Sequence, residues 1–177
     1  LKLLIAPRHP HRAKDVGKLA REYGFAPLSV SQLASLSVCQ LKEKPANRPT
    51  GQPANKQEVF ILDTIGQLIY FYAASDIVFM GGSLIKKGGH NILEPAFFAK
   101  PVVFGPHMFN FRDMTALFLS AEACVQAQDA GALQEKIKIL LADSIKAADL
   151  GKRAKELLEK NKGATARNLS RIKLYLD

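Results

Sequence analysis

The feature of this sequence that most constrains its fold is a series of short apolar runs separated by helical patterns. The runs that predict strands are Leu3–Ala6, Ala26–Ser29, Val59–Leu62, Ile77–Met80, Val102–Phe104 and Ala123–Gln126. Most are continuously apolar, which is typical of parallel strands that are covered on both faces. Helical patterns separate most of them, at His11–Tyr23, Gly66–Ala74, Asn91–Ala99 and Phe111–Ala121. The sequence therefore predicts an α/β fold with a Rossmann-like, doubly wound parallel sheet of six strands.

The remaining segments fit one domain that spans residues 1–177. The polar, proline-rich segment Gln40–Gln57 predicts a mobile loop between the second and third strands. Helical patterns close the chain from about residue 130, at Ala130–Leu141, Ser144–Asn161 and Ala164–Leu176. No apolar run approaches the roughly 18 residues of a membrane span. Because the chain starts inside a predicted strand without Met, we expect a fragment of a longer protein.

The chain is strongly basic, with a formal net charge of +9 and a pI near 9.6. Such a charge favours acidic partners: nucleic acid, anionic lipid or a phosphorylated substrate. Much of the excess lies in residues 1–24 and 129–177, where solvated helix faces with i,i+4 ion pairs are an equally open interpretation. Cys39 and Cys124 are too few and too far apart for a disulfide framework, and we expect Cys124 in the core.

Three glycine clusters follow one another in fewer than thirty residues. They are Gly81-Gly82-Ser83, Gly88-Gly89-His90-Asn91 and Gly105-Pro106-His107. Glycine is entropically costly, so such clusters indicate a backbone that must approach something closely. Conspicuous polar motifs also follow the first and third predicted strands, at Pro7-Arg8-His9 and Asp63-Thr64. Because ligands of open α/β sheets collect beyond the carboxyl ends of the strands, we expect these motifs to converge on one edge.

The segment that follows Lys87, "GGHNILEP", is the best candidate for an anion site. Gly88-Gly89 leads into a predicted helix, whose N–H groups and positive dipole end favour a phosphate. The Ser83 hydroxyl and the charge of Arg8 or Lys87 could contribute further. The segment is neither a P-loop nor a G-x-G-x-x-G motif.

Glu94 and Asn110 each have two interpretations. Asn91 and Glu94 fit a capping box, but Pro95 follows directly and lacks the N–H of an early helical donor. Alternatively, the Glu94 carboxylate accepts hydrogen bonds from ribose hydroxyls. Asn110 either caps the helix that begins at Phe111 or contributes to a binding pocket.

The histidines His9, His90 and His107 all follow predicted strands. Their spacing matches no metal-binding motif, so we expect no metal and interpret them as donors to phosphate or carboxylate. The sequence also lacks G-x-S-x-G, the elbow of a nucleophilic serine. Asp63 could act as a base, although an acidic residue after a strand more often caps a turn. The chain thus offers a hydrogen-bonding pocket without a convincing nucleophile.

Four stretches together resemble the carboxyl-terminal half of the 3-deoxy-D-manno-octulosonate (Kdo) transferases: "APRH", "LDTIGQLIYFYAASDIVFMGGSL", "GGHNILEPA" and "VVFGPHMFNF". These are the lipid A glycosyltransferases of Gram-negative bacteria. The resemblance implies a GT-B enzyme with two Rossmann-like domains, of which this chain is the donor-binding one and the amino-terminal acceptor domain is absent. It further implies inverting transfer from CMP-Kdo to a lipid A precursor, without a metal or other cofactor.

The resemblance also implies where the full-length enzyme acts. It would sit at the cytoplasmic face of the inner membrane, against an anionic surface, through the missing half. The catalytic base, a glutamate, would also come from that half, so we expect no catalytic residue in this chain and no activity from it alone.

By motif match, the resemblance implies a set of donor-binding residues. They are Arg8, His9, Gly82, Ser83, Gly88, Gly89, His90, Asn91, Glu94, His107 and Asn110. The glycine loops would hold the phosphate and the sugar carboxylate, and Glu94 would hold the ribose. The chain departs from the family pattern at Gln67, where a glutamate is usual, and at Ile92, where many members have proline. The region "SVSQLASLSV" lacks an expected arginine, so a donor contact there is not implied.

Two alternatives stay open. One is another GT-B protein, either a transferase with a uridine-linked donor or a nucleotide-sugar epimerase. The other is a basic module that binds nucleic acid or membrane without catalysis. The basic residues are not interleaved with aromatics and no nucleic-acid-binding motif is present, so we expect no nucleic acid partner.

Overall fold

A computed structural model of the chain describes residues 2–33 and 57–162, together with residues 169 and 172. The predicted loop at 40–57, apart from Gln57, lies outside these residues, as does Cys39. The predicted helix Ala164–Leu176 is described only at residues 169 and 172, which are helical. The chain divides into two compact units, Leu1–Ala74 and Ser75–Asp177.

The first unit contains a parallel three-stranded sheet, with strands β1 (Leu3–Ile5), β2 (Ala26–Ser29) and β3 (Glu58–Ile61). Strand β3 is central: Leu3 pairs with Val59 on one side and Pro27 pairs with Val59 on the other. A 3-10 turn at Pro10–Arg12 leads into helix α1 (Ala13–Glu22), and helix α2 (Leu68–Ala74) follows β3. Helix α1 therefore forms the crossover between two parallel strands, as the sequence predicts.

The core of the first unit is built on the central strand. Val59, Phe60 and Ile61 are almost completely buried, which explains why this run is continuously apolar. Gly17 of α1 is also buried, and a side-chain Cβ at that position would lie 3.5 Å from the Ile61 Cδ1 atom. Helix α1 ends before Gly24, whose φ of +83° is in the left-handed region that glycine adopts without strain.

The second unit contains a second parallel sheet, with strands β4 (Val78–Phe79), β5 (Val102–Phe104) and β6 (Val125–Gln126). Its helices are α3 (Leu93–Phe97), α4 (Arg112–Ser120), α5 (Ala130–Ala142) and α6 (Ser144–Lys160). Strand β5 is central and completely buried. One core cluster of this unit joins β5 to the last two helices, through Val103, Ala127, Leu140 and Leu150.

Helices α5 and α6 begin at aspartate caps. The Asp129 side chain accepts a hydrogen bond from the Ala132 N–H at 2.8 Å, and Asp143 accepts one from the Lys146 N–H at 2.9 Å. A carboxylate at this position satisfies an N–H group that has no partner within the helix and also complements the helix dipole. These caps fix the starts of both helices at the residues predicted from the sequence, Ala130 and Ser144.

The α/β class, all six strands and their parallel pairing are confirmed, but one six-stranded sheet is not. The described strands form two three-stranded sheets, in the orders β1-β3-β2 and β4-β5-β6. In the part of the chain that the structure describes, β1 and β4 are edge strands of different sheets. Strand β1 pairs with β3, and the two-residue strand β4 pairs with β5. The apolar runs therefore identified the strands, whereas the strand order depends on pairings that no run of residues specifies.

One smaller prediction is confirmed, and one of the two open interpretations of the basic residues is supported. Cys124 is 6% exposed, and burial raises the pKa of its thiol to about 12, as expected of a core cysteine. Helix α6 carries two i,i+4 ion pairs, Lys152 with Glu156 at 3.8 Å and Arg153 with Asp149 at 3.4 Å. Such exposed pairs stabilise little, so part of the basic surface is an ordinary solvated helix face. Among the described residues, no helix has the length and apolar character to cross a membrane.

Candidate functional site

The candidate site lies in the second unit, on two loops that follow neighbouring strands. The first loop, residues 81–92, follows β4, and the second, residues 105–110, follows β5. Because β4 and β5 are parallel and adjacent, both loops leave the sheet at the same edge. The glycine clusters of this unit therefore lie together, as the sequence predicts.

Ser83 ties the two loops together and is completely buried. Its hydroxyl donates to the Met80 carbonyl at 2.5 Å and accepts from the Gly105 N–H at 2.7 Å. Its backbone carbonyl accepts from the His107 N–H at 2.9 Å. The hydroxyl is thus committed to the protein itself, so the geometry favours a structural role for this side chain over the expected contact with a ligand.

Gly105 shows why the second loop needs glycine. A Cβ at this position would overlap the Ser83 carbonyl group and lie 2.6 Å from the Leu84 nitrogen. These are backbone atoms, which cannot rotate away as the end of a side chain can. The close approach indicated by this glycine is therefore between the two loops.

Gly88 and Gly89 are left-handed, with φ of +86° and +67°, and both are buried. A Cβ on Gly88 would overlap the Asn110 amide, and a Cβ on Gly89 would overlap the Met108 sulfur. Met108 is only 5% exposed and is a site residue that the sequence reasoning missed. The sequence did carry a signal for Met108, because it is an apolar residue that directly follows His107 within the polar loop. The backbone of this glycine pair thus packs against its own chain, and its contact with an anion stays a prediction.

The helix that follows the glycine pair is shorter than predicted. It begins at Leu93 and ends at Phe97, with Ile92 as its N-cap residue, so its dipole is small. The Asn91 Oδ1 atom accepts from the Leu93 N–H at 3.0 Å. Glu94 accepts from the Asn91 side-chain amide at 3.3 Å, whereas a capping box requires the backbone N–H. The capping-box interpretation is therefore wrong in detail, and the Glu94 carboxylate remains exposed.

Asn110 does not cap helix α4, so that interpretation is wrong. It lies within the 3-10 turn Phe109–Phe111, and the N-cap of α4 is Phe111, which makes no side-chain cap bond. The Asn110 backbone N–H instead donates to the Gly88 carbonyl at 3.3 Å. Its side-chain amide donates to the Lys87 carbonyl at 3.4 Å. Asn110 therefore joins the second loop to the first.

Arg8 and His9 follow β1 in the first unit, as predicted, and both are exposed. The His9 ring stacks on the His11 ring with centroids 5.5 Å apart. Their role in the same site as the glycine loops stays a prediction.

Asp63 fixes the carboxyl ends of β2 and β3 in the first unit. It accepts hydrogen bonds from the hydroxyls of Ser29 and Ser31 and from the Ser31 N–H at 2.9 Å. Partial burial acts to raise the pKa of Asp63, but these hydrogen bonds outweigh it and leave the pKa below its usual value. A carboxylate with a lowered pKa is a weaker base, and both of its oxygens already accept hydrogen bonds from Ser29 and Ser31, which disfavours the alternative that it acts as a base. The departure at Gln67 is accommodated by a 2.8 Å hydrogen bond from the Thr64 hydroxyl.

The accessible rim of the second unit's loops is polar and carries hydrogen-bond donors. Its members are at least partly exposed: Gly82, His90, Asn91, Glu94, His107 and Asn110. Lys86 and Lys87 are exposed beside them and supply positive charge. Within residues 2–33 and 57–162, no group of three His, Cys, Asp or Glu side chains is placed to hold a metal ion. The rim suits an anionic ligand that also carries hydroxyl groups.

Comparison with known proteins agrees with this arrangement. The family described as "Glycosyl transferases group 1" matches residues 43–157. The 3-deoxy-D-manno-octulosonic acid transferase of Haemophilus influenzae is 34% identical over 100% of this chain, and that of Bordetella pertussis is 29% identical over 98% of it. This chain spans 38% and 37% of the lengths of those two proteins.

One solved structure matches a larger share of its own length to this chain. It is the crystal structure of the C-terminal CMP-Kdo binding domain of WaaA from Acinetobacter baumannii, with a TM-score of 0.72 and 31% sequence identity. The match covers 88% of this chain and 72% of that domain. The chain therefore belongs to the group 1 glycosyl transferase family, and within it to the 3-deoxy-D-manno-octulosonic acid transferases, with the fold of a GT-B carboxyl-terminal domain.

Proposed function

We propose that this chain is the donor-binding domain of an inverting, metal-independent glycosyltransferase that transfers Kdo from CMP-Kdo to a lipid A precursor. The observation that carries the proposal is the likeness, in both fold and sequence, to a domain described as CMP-Kdo binding. The paired loops and their polar rim support it, because CMP-Kdo combines a phosphodiester, a sugar carboxylate and ribose hydroxyls. The first two groups need N–H or cationic donors, and the ribose needs an acceptor such as Glu94.

The bonds between the loops explain how such a site would help the reaction. As the bond between Kdo and the phosphate breaks, negative charge develops on the departing CMP. Donors that are already in place stabilise that charge without reorganising, which is the main source of electrostatic catalysis. Here the loops are fixed to each other by the Ser83 hydroxyl, the His107 N–H and the Asn110 amide. His90 and Asn91, on the rim beside them, are the side chains we assign to the phosphate and the sugar carboxylate.

The rest of the reaction belongs to the longer protein. We assign no catalytic base to this chain and expect the base, the acceptor site and the membrane association to come from residues outside it. The lipid A precursor and the anionic cytoplasmic face of the inner membrane are the partners proposed for the full-length enzyme. The net charge of +9 is consistent with work beside an anionic surface.

Replacing Glu94 with alanine is expected to weaken CMP binding about tenfold or more. The change removes a charged acceptor for the ribose hydroxyls, and hydrogen bonds to charged groups typically contribute about 1.5–3 kcal/mol. Folding should be almost unaffected, because Glu94 is exposed and its bond to Asn91 is long, at 3.3 Å. Calorimetric titration with CMP measures the affinity, and thermal unfolding measures the stability.

Two variants serve as controls. Glu94→Gln keeps an acceptor for the Asn91 amide and should lose less affinity than Glu94→Ala. Glu135→Ala removes a carboxylate from an exposed position of α5 and should leave CMP binding unchanged. Unchanged CMP affinity in Glu94→Ala, together with a loss of about 1 kcal/mol in stability, would assign Glu94 to the helix start instead of the ribose.

A further inference from the structure

The two loops of the site are joined by a set of contacts that involve few side chains. The Ser83 hydroxyl binds the Gly105 N–H, and the Asn110 amide binds the Lys87 carbonyl. The Met108 sulfur occupies the space beside Gly89. Each contact links residues 81–92 to residues 105–110.

Asn110 makes the most direct contacts with the glycine pair. Its backbone N–H donates to the Gly88 carbonyl at 3.3 Å, and its side-chain amide lies where a Gly88 Cβ would be. Its amide also reaches the Lys87 carbonyl at 3.4 Å, so the peptide units on both sides of the Gly88 Cα atom are engaged. Two contacts on consecutive residues restrict the backbone torsions between them, and here those torsions are left-handed, with φ of +86° at Gly88.

The position of the glycine pair determines where the next residues lie. His90 and Asn91 follow Gly89 directly, and the Asn91 amide binds Glu94. A change in the backbone at Gly88 would therefore move the rim donors and the proposed ribose acceptor together. The geometry thus couples Asn110 to the rim without requiring Asn110 to contact the ligand.

We propose that Asn110 is a positioning residue, which together with Met108 holds Gly88–Gly89 in the left-handed conformation that presents His90, Asn91 and Glu94 to the donor. This inference rests on the proposed function for the identity of the ligand. It differs from the motif-based expectation that Asn110 lines the donor pocket, because the residue acts through the Gly88 backbone. Met108 supports the same backbone from the Gly89 side and is buried, which suits packing and not binding.

A double-mutant cycle of the whole chain tests the proposal, with Gly88→Ala, Asn110→Ala and the double variant. Asn110→Ala is expected to shift the backbone amide resonances of Gly88 and Gly89 in the free protein and to lower CMP affinity about tenfold. Gly88→Ala alone should lower CMP affinity more, because its methyl group overlaps the Asn110 amide. The double variant removes that overlap, so its loss should be smaller than the product of the two single losses.

Asn161 supplies a matched control. Its side-chain amide also donates to a backbone carbonyl, that of Leu157 at 2.8 Å, at the end of helix α6. Asn161→Ala should leave the Gly88 and Gly89 resonances and the CMP affinity unchanged. Asn110→Asp provides a second comparison, because it retains the shape of the side chain but places a carboxylate against the Lys87 carbonyl, and it should behave like Asn110→Ala.

The proposal is overturned if Asn110→Ala lowers CMP affinity while the glycine resonances of the free protein stay in place, since Asn110 would then contact the ligand directly. The proposal is also overturned if the double variant loses as much CMP affinity as the product of the two single losses. A wild-type chain without preference for CMP contradicts the proposed function instead. The resonances of the free protein still decide whether Asn110 positions the glycine pair in that case.

Discussion

A valine at position 89 is expected to abolish CMP binding, with a loss of at least about 100-fold. Gly89 has a φ of +67°, a conformation that costs most residues about 1–2 kcal/mol and a β-branched residue more. Its side chain would also overlap the buried Met108 sulfur. The backbone can relieve both problems only by leaving the left-handed region, which displaces His90 and Asn91. Calorimetric titration with CMP measures the loss, and circular dichroism verifies that the variant is folded.

Gly24→Val separates this effect from backbone strain alone. Gly24 has a φ of +83°, and a Cβ there would have no atom within 4 Å, so the variant carries the strain without the overlap. Gly24 lies after helix α1 in the first unit, so the Gly24→Val variant should bind CMP with wild-type affinity. If Gly89→Val is folded and binds CMP normally, the glycine loop has no part in the site.

Replacing Gly151 with alanine is expected to lower the free energy of unfolding by about 3 kcal/mol, at the upper end of overpacking changes. Gly151 lies in the middle of α6, where that helix crosses the turn after α3. A Cβ there would overlap the Ala99 carbonyl group and lie 3.2 Å from the Lys100 carbonyl carbon. Ala99 already has a φ of +52°, so this turn has little freedom to move. Thermal unfolding should show a midpoint about 10 °C lower.

Gly17→Ala is the matched control, because Gly17 is also a buried glycine within a helix. Its Cβ would meet only side-chain atoms at ordinary contact distances, 3.5 Å from Ile61 and 4.0 Å from Pro27. Alanine is a better helix former than glycine, so this variant should gain up to about 1 kcal/mol. Equal effects of the two substitutions would contradict the close packing of α6 against the turn.

The strands were predictable because a buried parallel strand requires an uninterrupted apolar run. Ala26–Ser29 and Val102–Phe104 were predicted with their observed bounds, and helix α5 was predicted within one residue. The glycine clusters of the second unit were likewise predictable as neighbours, because parallel strands place their loops at one edge. These inferences depend on residue patterns that are local in the chain.

The details that the sequence left undecided depend on contacts between distant residues. The sequence indicated an anion cradle at the glycine pair, which stays a prediction, but it did not indicate that Met108 and Asn110 would lie against this pair. Sequence alone could not decide between helix capping and a place in the binding pocket for Asn110, because its partner, the Lys87 carbonyl, is a backbone group without any residue signature. Ser83 was assigned to a ligand for the same reason: a hydroxyl that joins two loops and one that binds a substrate have the same sequence context.

An amide NMR titration of the chain with CMP, with UMP and a short oligonucleotide as controls, tests the proposed donor-binding function. We expect shifts confined to the glycine loops, residues 81–92 and 105–110, and to Glu94, with CMP preferred over UMP. An equal response to CMP and UMP would contradict CMP-Kdo as the donor. If CMP causes no shifts and the oligonucleotide causes broad shifts on the basic helices, the result would contradict the donor-binding function and favour a polyanion-binding module.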